Sequence, residues 1–346
     1  MSHSSVVGYA ARAVGQPLEP FTYEPPKLGE HNVQVSITHC GVCYTDIQGL
    51  DDHYGIVDFP FVPGHEIVGT VSAVGPEVSG LKAGDRVGIG WQGRSCMKCE
   101  YCQQGEEQLC RDLDNCGTWK PYGGFASSVV VDGRFAYPLP ASMPSEVAAV
   151  LMCAGISVYT PLRRYAAEGL QKVGIIGVGG LGHLAIQFAR ALGYEVTAIS
   201  SSPEKKEQAL KFGADHFIIA QDQASMRKIR LSFDLLLYTS HGKSDWTSLL
   251  YSLKTNGRLA IVGFPDSPVM FDPLELVVHQ FSITGSFIGS RAGMKEMLSF
   301  AQEQGIAPEV ELMPMSQAND AIRRVRKNQA RYRIVLFNDM GSAQAG

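Results

Sequence analysis

Four cysteines, Cys96, Cys99, Cys102 and Cys110, lie in the run CMKCEYCQQGEEQLC with the spacing C-x2-C-x2-C-x7-C. Thiolates are soft metal ligands, and one loop at this spacing can wrap four of them around a single ion with no coordination position left open. The chemistry expected is a structural zinc. An iron–sulfur cluster also takes four cysteines, but a closed loop of this kind suits zinc better. Glu100, Glu106 and Glu107 sit beside the ligands, where a nucleic-acid finger would need positive charge.

A second set is dispersed: Cys43 in CGVCYTD, His65 followed by Glu66 in PGHEIVG, and Cys153 in LMCAG. Each alone has an ordinary reading, because a cysteine in an apolar stretch is usually a small core residue and a single histidine a satisfied polar group. Together, two sulfurs and an imidazole make a ligand set that leaves a fourth position for water or substrate, as a Lewis-acid zinc requires. Thr45 stands two residues after Cys43. Its hydroxyl can both donate and accept a hydrogen bond, the ordinary alternative being a turn former. Cys40 and Cys116 are left over as free thiols.

Gly177, Val178, Gly179, Gly180, Leu181 and Gly182 form GVGGLG, directly after the apolar run KVGII and directly before an apolar-periodic stretch. Strand, glycine turn and helix start in that order let backbone N–H groups and a helix N-terminus receive a pyrophosphate. The next strand candidate ends not in the acidic residue that would bind a ribose 2′-hydroxyl but in Ser200, Ser201 and Ser202, followed by Lys205 and Lys206. Hydroxyls and positive charge favour a 2′-phosphate, so NADP(H) is the expected cofactor. The bland alternative is a serine cap opening a solvated helix with Pro203 in its first turn.

The elements that must position these groups fall into two textures. The first ~150 residues are rich in short β-branched runs punctuated by glycine, such as NVQVSITHCGVC, HEIVGTVSAVG and GDRVGIGW. From about residue 155, strand candidates KVGIIGV, YEVTAIS, DHFIIA, FDLLLYT, GRLAIVGF and FSITGSF alternate with helical stretches, the pattern of a doubly wound parallel sheet. The tail MKEMLSFAQEQG, NDAIRRVRKNQ and YRIVLF reads as two helices and a strand that rejoin the first domain.

The 346 residues, 45% apolar and 18% charged, suffice for two packed domains. A formal net charge of −4 offers no field for phosphate backbones, so no nucleic-acid partner is expected. The N-terminus lacks a basic flank with an apolar core behind it, and no run reaches the ~18 apolar residues of a span; a cytoplasmic protein without a membrane partner is expected. Five of eight cysteines crowd into residues 96–116, which favours metal ligation over disulfides.

CGVCYTD, PGHEIVGTV, AGDRVGIGW, CMKCEYC, LMCAGISVY, GVGGLGHLAIQFA, VTAISSSPEKK and ARYRIVL, in this order over nearly the whole chain, resemble the zinc-containing medium-chain dehydrogenase/reductase superfamily. Within it they resemble the cinnamyl alcohol dehydrogenase-like branch and its bacterial NADP-dependent aldehyde reductases. The resemblance implies an α/β protein: a GroES-like β-rich catalytic domain from residues 1–154 and 289–346, carrying the structural zinc loop 96–110, and a Rossmann NADP-binding domain at 155–288. It implies substrate in the cleft between them and a homodimer formed largely through the Rossmann domains. It gives Cys43, His65 and Cys153 the catalytic-zinc ligand roles, makes Glu66 a neighbouring or exchanging carboxylate, has Asp46 orient His65, and matches Thr45 to the proton-relay hydroxyl.

Two departures go with it. Tyr44 stands where His or Arg is common, and Gln48 stands at the position of the relay histidine. By resemblance, Val262, Gly263, Phe264, Gly285, Ser286 and Phe287 contact the nicotinamide half, and Arg333 or Arg331 reaches a phosphate, the alternative being a surface arginine of the last strand. Tyr44, Trp91, Trp119 and Phe287 are candidates for an apolar substrate lining, against the alternative of core aromatics; Trp119 falls where plant members carry a pocket tryptophan. The function implied is a zinc-dependent NADP(H) alcohol dehydrogenase or aldehyde reductase acting on an aliphatic or aromatic aldehyde. A zinc-free quinone or enoyl reductase, or a non-catalytic NADP-binding protein, would share the fold without both ligand sets.

Overall fold

The computed structural model describes residues 5–117, 122–265 and 268–340. The chain divides into two compact units, one of Met1–Cys153, Ser290–Leu298 and Pro308–Gly346, the other of Ala154–Gly289 and Ser299–Ala307. Assignment of Ser299–Ala307 to the second unit differs from the boundary read in the sequence. The reason is side-chain packing: Phe300 stacks near Tyr159 and Phe188, with ring centroids 5.6 and 6.4 Å away, and the Gln187 side chain bonds both the N–H and the carbonyl of Ala307.

In the first unit a mainly antiparallel sheet runs in the order Val310–Pro314, Arg333–Phe337, Asn32–Val42, Glu66–Val74, Arg86–Ile89, Ala136–Pro138, and Ser128–Asp132 also pairs with Asn32–Val42. The alternation of Val33, Val35 and Ile37 is the physical basis of the long central strand: these three are buried while their neighbours are more open, as period-2 patterning demands. The tail returns as expected, Ile334 lying opposite Val42.

In the second unit six parallel strands run in the order His216–Ile219, Glu195–Ser200, Lys172–Ile176, Phe233–Tyr238, Leu253–Ile261, Ser282–Gly285. All six match strand candidates read from the sequence. The order reverses beside Lys172–Ile176, so the carboxyl end of that strand is the switch point where such a sheet binds ligands. The helix Gly182–Ala191 buries His183, Leu184, Ala185, Ile186, Phe188 and Ala189, the apolar stripe seen in the sequence. One continuous helical stretch, Ser145–Ala166, is long and apolar enough to cross a membrane, although no such run was evident in the sequence; 72% of its apolar window is buried within the protein, as for a core helix.

Candidate functional site

Cys43 stands where the strand Asn32–Val42 ends and the helix Tyr44–Leu50 begins, as the residue that caps the helix. Asp46, three residues on, reaches back to accept the Cys43 backbone N–H at 2.8 Å, which fixes the ligand's backbone. The same carboxylate accepts the Gly64 N–H at 3.0 Å and bonds His65 Nδ1 at 2.9 Å, both Asp46 and His65 being fully buried. His65 directly precedes the strand Glu66–Val74, whose first residue, Glu66, lies opposite Gly41. A Cβ at Gly41 would overlap the Glu66 carboxylate, so only glycine lets the two strands bring it in. Cys153 comes from a π-helical turn, Leu151–Gly155, a widened turn of the sort that places functional side chains.

Ligand atoms of Cys43, His65, Glu66 and Cys153 lie within 4.8 Å of one another and all four residues are buried. His65 Nε2 and Glu66 Oε2 have no hydrogen-bond partner among the described residues. A buried imidazole nitrogen aimed at two sulfurs is costly unless a cation fills the space, so the donor set fits zinc. The electrostatics agree. The neighbouring Cys153 thiol and His65 hold the Cys43 thiol well below its usual range, against its burial. Burial pushes the Glu66 carboxyl up to about 8, while the Arg333 guanidinium and His65 act in the opposite direction. Burial disfavours the His65 imidazolium, but Asp46 and Cys43 outweigh it and raise the ring's pKa. The Thr45 hydroxyl lies 3.6 Å from Cys43 Sγ. Gln48 is buried, and its carbonyl accepts the His53 N–H.

Arg333 or Arg331 was expected to reach a phosphate, the alternative being a surface arginine of the last strand. Arg333 is not on the surface: it is buried in the sheet with Nη2 on Glu66 Oε1, because its strand lies beside Asn32–Val42 and next but one to Glu66–Val74. Nothing in ARYRIVL signals this partner. Arg331, the alternative, is an exposed residue 3.6 Å from Glu309. Trp91 is buried, and Tyr44 packs against the core of the β-rich unit, which fits the core alternative for both. Trp119 lies outside the described residues.

In the four-cysteine loop, Sγ–Sγ separations are 3.5 Å for Cys99–Cys102 and 3.9 Å for Cys96–Cys102. A tetrahedron with zinc–sulfur bonds of about 2.3 Å has edges of about 3.8 Å. Backbone N–H groups point at the sulfurs, from Cys99 to Cys96 at 3.3 Å and from Cys96 to Cys110 at 3.4 Å. N–H groups of Lys98 and Cys99 lower the Cys96 thiol to about 6, toward the thiolate that binds metal. No disulfide joins any of the eight cysteines.

The glycine loop follows the central parallel strand. Gly177 has φ of 90°, a conformation that favours glycine, and a Cβ on Gly182 would collide with the Gly177 carbonyl. Thr239, not singled out in the sequence, holds this turn, its hydroxyl 2.8 and 2.9 Å from the carbonyls of Ile176 and Gly177. Ser200 is buried and accepts the Ser202 N–H, whereas Ser201 is exposed. Lys205 reaches back so that Nζ donates to the Val178 carbonyl at 2.9 Å. Lys206 instead lines a cavity of about 500 Å³ with Leu210, Thr197 and His216. Val262 and Gly263 follow directly on the strand Leu253–Ile261, Gly285 ends the strand Ser282–Gly285 with Ser286 after it, and Phe264 and Phe287 are exposed beyond them. The cradle that a Cβ would fill, with an ammonium at its rim, fits a phosphorylated dinucleotide.

An alcohol dehydrogenase GroES-like domain matches residues 29–141, and a zinc-binding dehydrogenase domain matches residues 180–303. The chain is 40% identical over 344 residues to a probable cinnamyl alcohol dehydrogenase of Nicotiana tabacum, covering 96% of this chain and 95% of the other. It is 38% identical over 341 residues to an NADP-dependent alcohol dehydrogenase of Mycolicibacterium smegmatis, covering 96% and 98%. A solved cinnamyl alcohol dehydrogenase from Sorghum bicolor superposes with a TM-score of 0.92 at 37% identity, covering 96% of this chain and 98% of that one.

Proposed function

The chain belongs to the zinc-binding alcohol dehydrogenase family, in its cinnamyl alcohol dehydrogenase-like branch, and on that premise we propose that it interconverts aldehydes and alcohols with zinc and NADP(H). The observation that carries this reading is the convergence of Cys43, His65, Glu66 and Cys153 from three separate stretches of chain, with the Thr45 hydroxyl beside Cys43. When bound, zinc supplies Lewis acidity to a carbonyl oxygen, and NADP(H) supplies or accepts the hydride.

Cys43, His65 and Cys153 would hold the catalytic zinc, with Glu66 as a nearby carboxylate, and the four-cysteine loop would hold the structural one. Asp46 holds His65 Nδ1 and so leaves Nε2 available, where it would face a bound ion. Thr45 would relay a proton to the forming alcohol in the reductive direction, its hydroxyl accepting one from the solvent side as it donates one, and in reverse would pass the alcohol's proton outward. The Gln48 amide neither gives nor takes a proton near neutral pH, so the proton leaves by a route other than this side chain. Gly177–Gly182 would receive the pyrophosphate, Ser200–Ser202 and Lys205 the 2′-phosphate, and the strand ends at Val262–Phe264 and Gly285–Phe287 the nicotinamide half. Aliphatic and aromatic aldehydes are the substrate class.

The same reading makes the protein a cytoplasmic homodimer. Supporting it, Leu274, Val277 and Val278 stand 61, 73 and 61% exposed on the helix Pro273–His279, next to the edge strand Ser282–Gly285. An apolar face beside an open edge is what a second copy would cover. The enzymatic test is NADPH oxidation with a panel of small aldehydes, run in parallel with NADH and with metal analysis. Turnover that prefers NADPH, with zinc at both centres, is expected; no turnover, or a chain without zinc, would overturn the proposal.

A further inference from the structure

Main-chain passages between the units occur at Cys153–Ala154 and Gly289–Ser290, and again at Leu298–Ser299 and Ala307–Pro308. The first follows directly on a ligand of the catalytic centre. The second is gripped on both sides. Before it, a Cβ on Gly289 would crowd Thr160 and Ile156. After it, Ser290 caps the helix Arg291–Glu303, its Oγ accepting the Gly293 N–H at 3.1 Å.

The helix start is also held by Glu107, from the single turn between Cys102 and Cys110. Its Oε2 accepts the Arg291 backbone N–H and its Oε1 the Arg291 Nη1, both at 3.3 Å. Arg291 Nε donates to the Arg134 carbonyl at 3.0 Å, and the guanidinium lies 5.6 Å over the Phe135 ring. Glu107 is 6% exposed; its own carbonyl accepts both the Cys110 N–H and Gln92 Nε2. Its position is therefore set by the fold of the cysteine loop. A carboxylate at a helix start also suits the helix dipole.

We propose that the four-cysteine loop anchors the Gly289–Ser290 crossing, with Glu107 and Arg291 as positioning residues that transmit metal occupancy in the loop to the first turn of the helix Arg291–Glu303. The inference rests on the structural-zinc reading of that loop. The test is hydrogen exchange followed by mass spectrometry on the zinc-loaded, full-length protein, with metal analysis alongside. Glu107→Gln should leave zinc content unchanged and speed exchange at residues 291–294 by roughly tenfold to a hundredfold, the loss expected for a charge-assisted contact, with no change in the strand Asn32–Val42. Cys99→Ser, which weakens the loop's metal, should speed the same amides, and the double variant should add little.

Unchanged exchange at 291–294 in Glu107→Gln would overturn the proposal. So would a rise spread evenly over the sheet, or a Cys99→Ser effect confined to residues 96–110. Absence of zinc from the unmodified loop would instead be a failure of the metal reading, and the metal analysis distinguishes it.

Discussion

Asp46 serves three partners with one buried carboxylate: Oδ2 takes the Cys43 N–H, and Oδ1 takes the Gly64 N–H and His65 Nδ1. Asp46→Asn keeps the shape but offers an oxygen on one side only. With the oxygen toward Gly64 and His65, the new NH2 group opposes the Cys43 N–H, donor against donor; with the amide reversed, two donors lose their acceptor. Leaving one buried donor unsatisfied costs about 1–3 kcal/mol, and losing the charge weakens the bond that orients the imidazole. Changes to such an outer partner of a ligand lower metal affinity about 10–100-fold, or about 1.4–2.7 kcal/mol at the 1.36 kcal/mol that makes tenfold.

The two effects can be separated. Chelator competition reads the affinity of the catalytic zinc, with the four-cysteine site as internal control, and urea unfolding of the metal-free protein reads the hydrogen-bond loss. Expected are weaker zinc retention at the catalytic site alone and a lower unfolding midpoint. Zinc held as tightly as before, with stability within about 0.5 kcal/mol of the original, would refute the role given to Asp46.

Thr45→Ala should lower turnover by about 10²–10⁴-fold with zinc content intact, while Thr45→Ser retains most of the rate; steady-state kinetics and metal analysis check both. Lys205→Ala should cut the preference for NADPH over NADH by about 10–100-fold, measured as the ratio of kcat/KM values. Burial holds the Lys205 ammonium below the usual lysine range, so its charge is lost earlier as pH rises, and in the unmodified protein the same ratio should shrink at alkaline pH. Cys40 and Cys116 should resist alkylation in the folded protein, because burial pushes the Cys116 thiol up to about 12 and the Cys40 thiol well above its usual range; peptide mapping after iodoacetamide treatment reads this. Val277→Lys should shift the protein toward monomer, as light scattering after size exclusion would report.

Features that depend on local spacing are legible before the chain folds. The cysteine loop is legible because its ligands lie within 15 residues of one another, and the glycine turn because strand, turn and helix follow directly. The six parallel strands announce themselves by their short apolar runs. Other features depend on strand neighbours far apart in the chain. Register put Glu66 against Gly41, and sheet order brought Arg333 to the same buried carboxylate. A dipeptide such as Tyr332–Arg333 reads equally well as a surface strand residue or a phosphate ligand. Only pairing over 267 positions turns it into the partner of Glu66. The same holds for Thr239 on the glycine turn and for Glu107 on Arg291. A hydrogen bond between distant segments leaves no period in either one, so its trace exists only once the chain has folded.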